Sequence, residues 1–278
     1  MKASQARVVL TGANGGIGQA VAAALAQAGA SLLLTGRSPA RLSAQARALQ
    51  QRMPKVQVDW HEVDLQYLDS IASLAKQAAD WRCNVLIHGA GVAEFGRFDT
   101  ATPDRMSRIL HTNLLAPMVL TQALLPHLRS QPQAQVICIG SVLGAMGLPG
   151  FSVYGASKFG LRGFAQALRR ELSDTSVRVQ YLGPRSTRTA FNSAEVADYN
   201  QATGTAMDTP EVVAKALLRM LEAGTAERFL GFPEKLGVRL NGLMPGLLDG
   251  AFEKHRASLP SRLKTPNPSI PKEMKNAN

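Results

Sequence analysis

Tyr154 and Lys158 stand four residues apart in Tyr154-Gly155-Ala156-Ser157-Lys158, a spacing that sets both side chains on one face of a helix. A phenol with an ordinary pKa of about 10 exchanges its proton too reluctantly for easy traffic at neutral pH. A neighbouring ammonium stabilises the phenolate and lowers that value. Ser141 closes an apolar strand upstream of Tyr154. Its hydroxyl can hold an oxygen that gains negative charge. Asn113 lies in the long helical stretch before that strand, with Pro117 four residues later. Proline has no N–H to give and clashes with the carbonyl one turn back, so the Asn113 carbonyl is freed from the helix ladder. The plain alternative is that Pro117 only bends the helix around the core. Together these groups suit proton transfer at a polarised oxygen.

A second constellation suits a phosphate. Thr11-Gly12-Ala13-Asn14-Gly15-Gly16-Ile17-Gly18 follows an apolar strand directly and opens an alanine-rich helix. Glycines there let the backbone turn sharply and bring a pyrophosphate against the positive end of the helix. The end of the second strand reads Thr35-Gly36-Arg37-Ser38 and holds no acid. A carboxylate at that point would hold a ribose hydroxyl and repel a phosphate. Arg37 can instead pair with a 2′-phosphate through charge-assisted bonds, with Ser38 and Arg41 as helpers. Asp64, after the third strand, is a candidate N-cap for the helix that follows.

The glycine spacing and the Tyr154–Lys158 pair resemble the short-chain dehydrogenase/reductase family, whose patterns are T-G-x-x-x-G-x-G and Y-x-x-x-K. Asn113, Ser141, Tyr154 and Lys158 match that family's catalytic tetrad in order and spacing. The resemblance implies that Tyr154 is the general acid/base, that Ser141 holds the substrate oxygen, and that Lys158 also bonds the nicotinamide ribose. It further implies that the Asn113 carbonyl holds a water linking Lys158 to solvent, and that Asp64 bonds the adenine ring. Gly12, Asn14, Gly15, Gly16, Ile17, Gly18, Arg37, Ser38, Ala90 and Gly91 become cofactor contacts, as do Pro184, Thr187 and Thr189 after the sixth strand. The cofactor expected is NADP(H). Three departures stand out. Gly15 occupies a place where many NADP-using relatives carry a second basic residue. His88-Gly89 replaces the usual Asn-Asn, and we read His88 as a core histidine with a satisfied hydrogen bond. Arg185 replaces a glycine: it either strains the turn or reads an acidic group on the substrate.

Short apolar runs must position these residues. Strands are expected at 8–10, 32–35, 56–58, 85–88, 136–139, 177–182 and 229–231. Helices are expected at 17–28, 40–52, 67–79, 103–128, 153–173 and 210–223, the last with Thr209 as N-cap and Gly224 past its end. That alternation predicts an α/β fold, a Rossmann-type doubly wound parallel sheet of about seven strands with helices on both faces. The expected organisation is a dinucleotide-binding and catalytic domain over 1–232, an apolar extension over 233–252 and a mobile basic tail over 253–278. Residues 191–207 read as an irregular substrate-covering stretch, in which Phe191, Tyr199 and Met207 suggest an apolar-leaning substrate. In the extension Leu236, Leu240, Leu243, Met244, Leu247, Leu248 and Ala251 fall at helical spacing. Packing on the cleft or on another subunit is favoured over insertion into a membrane surface.

The 278 residues are 45% hydrophobic and 18% charged, which excludes dominant disorder. No run approaches the ~18 apolar residues of a bilayer-spanning helix. The two cysteines, Cys83 and Cys138, support no disulfide framework, and no metal site is assigned. The net charge is +11, of which residues 253–278 supply six Lys/Arg against two Glu. The basic residues are scattered without interleaved aromatics, so an anionic ligand is expected rather than nucleic acid. The expected function is hydride transfer between NADP(H) and a carbonyl or secondary alcohol, by a cytoplasmic homodimer or homotetramer acting on a small molecule. Two rivals stand beside it: an NADPH-binding sensor or scaffold without turnover, and a membrane-peripheral reductase of a lipid-like ketone.

Overall fold

The structure, a computed structural model, describes residues 1–260. Its strands are β1 (Arg7–Thr11), β2 (Ser31–Gly36), β3 (Val58–Glu62), β4 (Val85–His88), β5 (Ala134–Ile139), β6 (Val177–Gly183) and β7 (Glu227–Phe229). Its helices are α1 (Gly16–Gln27), α2 (Pro39–Arg52), α3 (Leu68–Asp80), α4 (Pro103–Leu110), α5 (Ala116–Arg129), α6 (Ser152–Glu171), α7 (Ala194–Thr203), α8 (Pro210–Ala223), α9 (Glu234–Leu243) and α10 (Glu253–Ala257). All seven strands run parallel in the order β3-β2-β1-β4-β5-β6-β7. The expected doubly wound α/β sheet is present.

Alternation along each strand sorts the core into two layers. Val8, Leu10, Leu32 and Leu34 pack toward α1 and α8, and their neighbours Val9 and Leu33 pack toward α3, α5 and α6. Both faces are covered, so the central strands are apolar throughout. The strand order reverses between β1 and β4, which opens a crevice at the carboxyl edge. The glycine turn follows β1, Gly89–Gly91 follows β4, and Ser141 lies just beyond β5.

Departures from expectation have local causes. Strand β3 starts and ends later than predicted because it is an edge strand paired only with β2. One side of it faces solvent, so Asp59, His61 and Glu62 stand where an apolar run would be sought. Strand β7 ends at Phe229, before Gly231, whose φ of +91° takes the chain out of the sheet. Thr209 holds the N-cap position of α8 without a capping bond to a backbone N–H, its side chain meeting the Glu211 carboxylate, whereas Gly224 closes the helix in the left-handed conformation. Asp64 is not the cap of α3, a position Tyr67 holds. Its carboxylate accepts instead from the Gln66 N–H at 3.0 Å.

The expected helix over 103–128 is broken by a π turn over His111–Leu115, where the Ala116 N–H reaches back to the His111 carbonyl. Pro117 cannot serve the Asn113 carbonyl, and the wider turn accommodates that defect. The stretch Pro103–Arg129 is long and apolar enough, by length and composition, to cross a bilayer, contrary to the expectation that no run is. Leu120, Leu124 and Leu128 within it are buried against the sheet. Its apolarity is that of a core helix.

Residues 191–207 are irregular only at their two ends, because α7 fills the middle. Ser193 caps α7 by accepting from the Val196 N–H, and Gly204 ends it with φ +71°. The apolar extension divides into α9 and a 3-10 turn over Pro245–Phe252. Val238 and Asn241 are what dock α9: Val238 packs on Val142 and Ala145, and Asn241 Nδ2 donates to the Ala145 carbonyl at 2.9 Å. Leu236, Leu240, Leu243 and Met244, expected to pack, face outward. The side chains of Leu247 and Leu248 lie outside the described residues, as do residues 261–278 of the basic tail. That tail was expected to be mobile from 253, but α10 occupies its first five residues and is tied to α7 by a hydrogen bond between His255 and Tyr199.

Candidate active site

Ser141, Tyr154 and Lys158 converge at the carboxyl ends of β5 and β6. The Ser141 and Tyr154 side chains are hydrogen-bonded to each other. Lys158 Nζ lies 5.7 Å from the centre of the Tyr154 ring and donates to the Ile139 carbonyl at 3.3 Å. Burial pushes the Tyr154 phenol up to about 12, partly offset by the bond from Ser141. The lowering expected from Lys158 is not found: burial dominates, and Ser141 is the group that opposes it. Burial also brings the Lys158 ammonium down to about 8. At neutral pH this gives a protonated phenol beside a largely charged amine.

Ser141 is held by a residue that sequence reasoning passed over. The fully buried Tyr181 hydroxyl accepts from the Ser141 N–H at 3.0 Å and donates to the Ser141 carbonyl at 2.9 Å. Gly140 and Gly144 flank Ser141, and a Cβ at either would run into the Tyr181 side chain. Those two glycines were the available signal. Ser141 Oγ also accepts from the Leu143 N–H at 3.1 Å, which fixes its rotamer.

Asn113 enters the site as a clasp. Its Nδ2 donates to the Val92 carbonyl at 2.8 Å and to Ser157 Oγ at 3.0 Å, and its Oδ1 accepts from the Val92 N–H at 2.9 Å. Ser157 in turn donates to the Tyr154 carbonyl at 2.6 Å. The loop after β4, the π turn and α6 are thereby joined through two buried side chains. His88 is the core histidine expected: Nε2 meets Thr121 Oγ1 at 2.8 Å, and burial with the nearby Lys158 charge drops its pKa to about 3. It stays neutral and plays no acid–base part.

The glycine turn forms a backbone cradle. Gly12 adopts φ +69°, and a Cβ there would lie 2.7 Å from the Ala90 backbone. The Ala90 and Gly89 N–H groups both donate to Thr11 Oγ1, which stitches β1 to the loop after β4. Asn14 Nδ2 donates to Gln45, and its carbonyl accepts from Gln19 and Arg41 at 3.0 Å each. Arg41 therefore braces the turn. Ser38 caps α2 by accepting from the Arg41 N–H. Arg37 points into solvent and has no partner among the described residues.

The loop after β6 folds back over this cradle. Pro184 accepts from the Val142 N–H at 2.9 Å, and the Thr189 methyl sits against Gly16. The Thr187 hydroxyl is committed to the Arg185 carbonyl at 3.0 Å. Asp64 and Gly91 complete the set: Gly91 faces Asn113 Oδ1 and Lys158 Nζ, while Asp64 stays at the far edge beyond β3.

Comparison with known proteins agrees with this arrangement. The sequence profile of the short chain dehydrogenase family matches residues 6–200. The chain belongs to the short-chain dehydrogenase family. It is 32% identical over 255 residues to dehydrogenase/reductase SDR family member 7B of Bos taurus, covering 86% of this chain and 78% of that protein. It is 31% identical over 224 residues to the ketoacyl reductase HetN of a Nostoc species, covering 79% and 76%. Among solved structures, a short-chain dehydrogenase from Sphingobium yanoikuyae in complex with NADPH superposes with a TM-score of 0.76 at 28% identity, covering 87% of this chain and 95% of that one.

Within this short-chain dehydrogenase, Arg185 takes neither role foreseen for it. Its φ is not left-handed; Arg82 is the only non-glycine residue in that region among those described. Its Nη2 donates to Asp208 at 2.7 Å and its Nη1 faces Glu234 at 3.5 Å, all three side chains being mostly buried. The guanidinium is a strut between the loop after β6, the start of α8 and α9. Asp208→Ala leaves it half-matched and is expected to cost about 2 kcal/mol, below the range for fully buried pairs because some solvent reaches it. Calorimetry should then show a melting point roughly 5 °C lower. An unchanged midpoint would mean that Glu234 alone satisfies Arg185.

Proposed function

We propose that this protein reduces a carbonyl compound with NADPH, Tyr154 delivering the proton. The observation that carries the reading is the Ser141–Tyr154 hydrogen bond with Lys158 behind it, set at the mouth of the crevice that the strand order opens. The residues present fit a phosphorylated dinucleotide. Gly12 and Gly18 leave a cradle that a Cβ would fill. The first turn of α1 carries no acid. The end of β2 offers an exposed arginine instead of a carboxylate, which favours a 2′-phosphate over a free ribose hydroxyl. The relative from Sphingobium yanoikuyae was solved with NADPH. In this reading Arg37 and Ser38 hold the 2′-phosphate, Lys158 meets the nicotinamide ribose, and the bound cofactor supplies the hydride.

The chain's own groups manage the proton. Ser141 Oγ, fixed by Leu143 and by Tyr181 through the backbone, donates toward the substrate oxygen and favours charge there. The Tyr154 hydroxyl passes its proton to that oxygen as the alkoxide forms. A phenol held at about 12 keeps its proton at neutral pH, which suits reduction. The Lys158 ammonium offsets the phenolate left behind. The Asn113 carbonyl, which Pro117 cannot serve, holds a water through which the proton is restored.

The test is consumption of NADPH and NADH with a panel of aldehydes, ketones, quinones and oxoacyl thioesters. Turnover preferring NADPH is expected. Lys158 is charged below its value of about 8 and neutral above it, so the reduction rate should fall as the pH rises through that point. A flat profile across that range would remove the Lys158 charge from the mechanism.

A further inference from the structure

Fourteen large apolar side chains are exposed among the described residues, and five of them, Phe232, Leu236, Leu240, Leu243 and Met244, fall within thirteen consecutive positions. Phe232 precedes α9, and Leu236, Leu240 and Leu243 follow at intervals of four, four and three residues, so they share one side of the helix. Their exposures run from 41% to 80%. Apolar side chains scattered singly are ordinary, but a contiguous row of them marks a contact surface. The opposite side of α9 is spent on the fold. Val238 packs on Val142 and Ala145, Asn241 bonds the Ala145 carbonyl, and a Cβ on Gly237 would meet Met146 Sδ at 3.4 Å. The row cannot turn inward while α9 stays docked.

The charge around this row is one-sided. Glu234, the one acid of α9, faces Arg185 and is mostly buried. What α9 shows to solvent is Lys235 and Arg239, each one residue before a leucine of the row. The 3-10 turn after α9 packs against α10, which adds the exposed Lys254 and Arg256. None of these four cations has a carboxylate partner among the described residues. Residues 235–278 as a whole carry eight Lys/Arg against three acids, Asp249, Glu253 and Glu273.

We infer that this face docks on an anionic lipid bilayer, the apolar row entering the headgroup boundary and the flanking cations meeting lipid anions. The inference does not depend on the reductase reading. Three other occupants fit less well. A second copy paired about a twofold axis would set Lys235 and Arg239 against their own counterparts. The chain's own residues 261–278 carry four Lys/Arg and one Glu, the same sign as the face. A folded protein partner would need a groove matched to a ridge on which Leu243 is 80% exposed, whereas a fluid headgroup region shapes itself to the ridge. Anionic lipid supplies apolar depth and negative charge together, and each Lys or Arg near its surface adds to binding. The turn on which α9 docks follows Ser141 directly, so the face lies beside the candidate active site.

The full-length protein tests this by sedimentation with two kinds of vesicle: phosphatidylcholine alone, and an equal mixture of phosphatidylcholine and phosphatidylserine. Binding to the mixed vesicles should exceed binding to the neutral ones about tenfold, as expected for several cations near an anionic surface. Leu240→Ser/Leu243→Ser should lower binding to the mixed vesicles about tenfold by removing apolar depth, and Lys235→Gln/Arg239→Gln by about the same factor. All four side chains are exposed, so the fold has little to lose, and the melting point of each variant verifies that it is intact. Leu243→Cys carrying a polarity-sensitive dye should shift to the blue on mixed vesicles; the native Cys83 and Cys138 are fully buried and escape the label. No binding to mixed vesicles overturns the docking face, as does equal binding to both kinds. Binding that the leucine pair does not alter is attraction of the basic chain alone, and overturns it too. So does a dimer in vesicle-free solution that Leu240→Ser/Leu243→Ser dissolves, because the row then covers a second copy.

Discussion

Tyr154→Phe is expected to lower kcat for carbonyl reduction by about a thousandfold, within the range that general acid catalysis contributes. NADPH affinity and the melting point should change little. The substitution removes one oxygen and keeps the ring that packs on Phe151 and Phe191. The bond lost is the one from Ser141, at a half-buried position that water can reach. Steady-state kinetics together with quenching of cofactor fluorescence separate the proton-transfer defect from a binding defect. The nearby titratable groups are poor substitutes: His88 is buried and neutral, and Lys158 donates to the Ile139 carbonyl. A fall of less than tenfold would assign the proton to another donor.

Arg37→Glu is expected to lower the NADPH-to-NADH ratio of kcat/KM about a hundredfold, mostly through KM. The substitution does two things at the end of β2. It removes the exposed cation proposed to pair with the 2′-phosphate, and it supplies the carboxylate that a ribose hydroxyl prefers. Arg37 makes no bond to the rest of the described chain, so the fold has little to lose. Arg41 is the poorer target. Its guanidinium holds the Asn14 carbonyl, and changing it would loosen the glycine turn itself. Initial rates with both cofactors on one carbonyl give the ratio directly. An unchanged ratio would make Arg37 a solvated surface residue.

The site was legible where its chemistry depends on residue type and short spacing. The glycine turn, the Tyr154–Lys158 pair and Ser141 at the end of β5 all occur where expected. Less was legible where a side chain is defined by a distant partner. Tyr181 lies forty residues from the Ser141 backbone it clamps. Helix α7 was missed although Ser193 and Gly204 mark both its ends, because its composition is too polar to show a strong apolar face.

The sequence by itself determined the order of strands and helices and the set of groups able to do chemistry. Those follow from the two-residue and 3.6-residue periods, from turn glycines and from proline's missing N–H, which act within a few residues. The tertiary structure alone decided what those groups became. Burial raises the Tyr154 phenol and lowers the Lys158 ammonium, reversing the order of influence expected from their spacing. Asp208 and Glu234 neutralise Arg185 from 23 and 49 residues away. In α9 the leucines face out and Val238 faces in, because what packs is settled by the turn after Ser141 and not by the helix's own stripe. Desolvation and ion pairing depend on which distant segments arrive, and no local period carries that information.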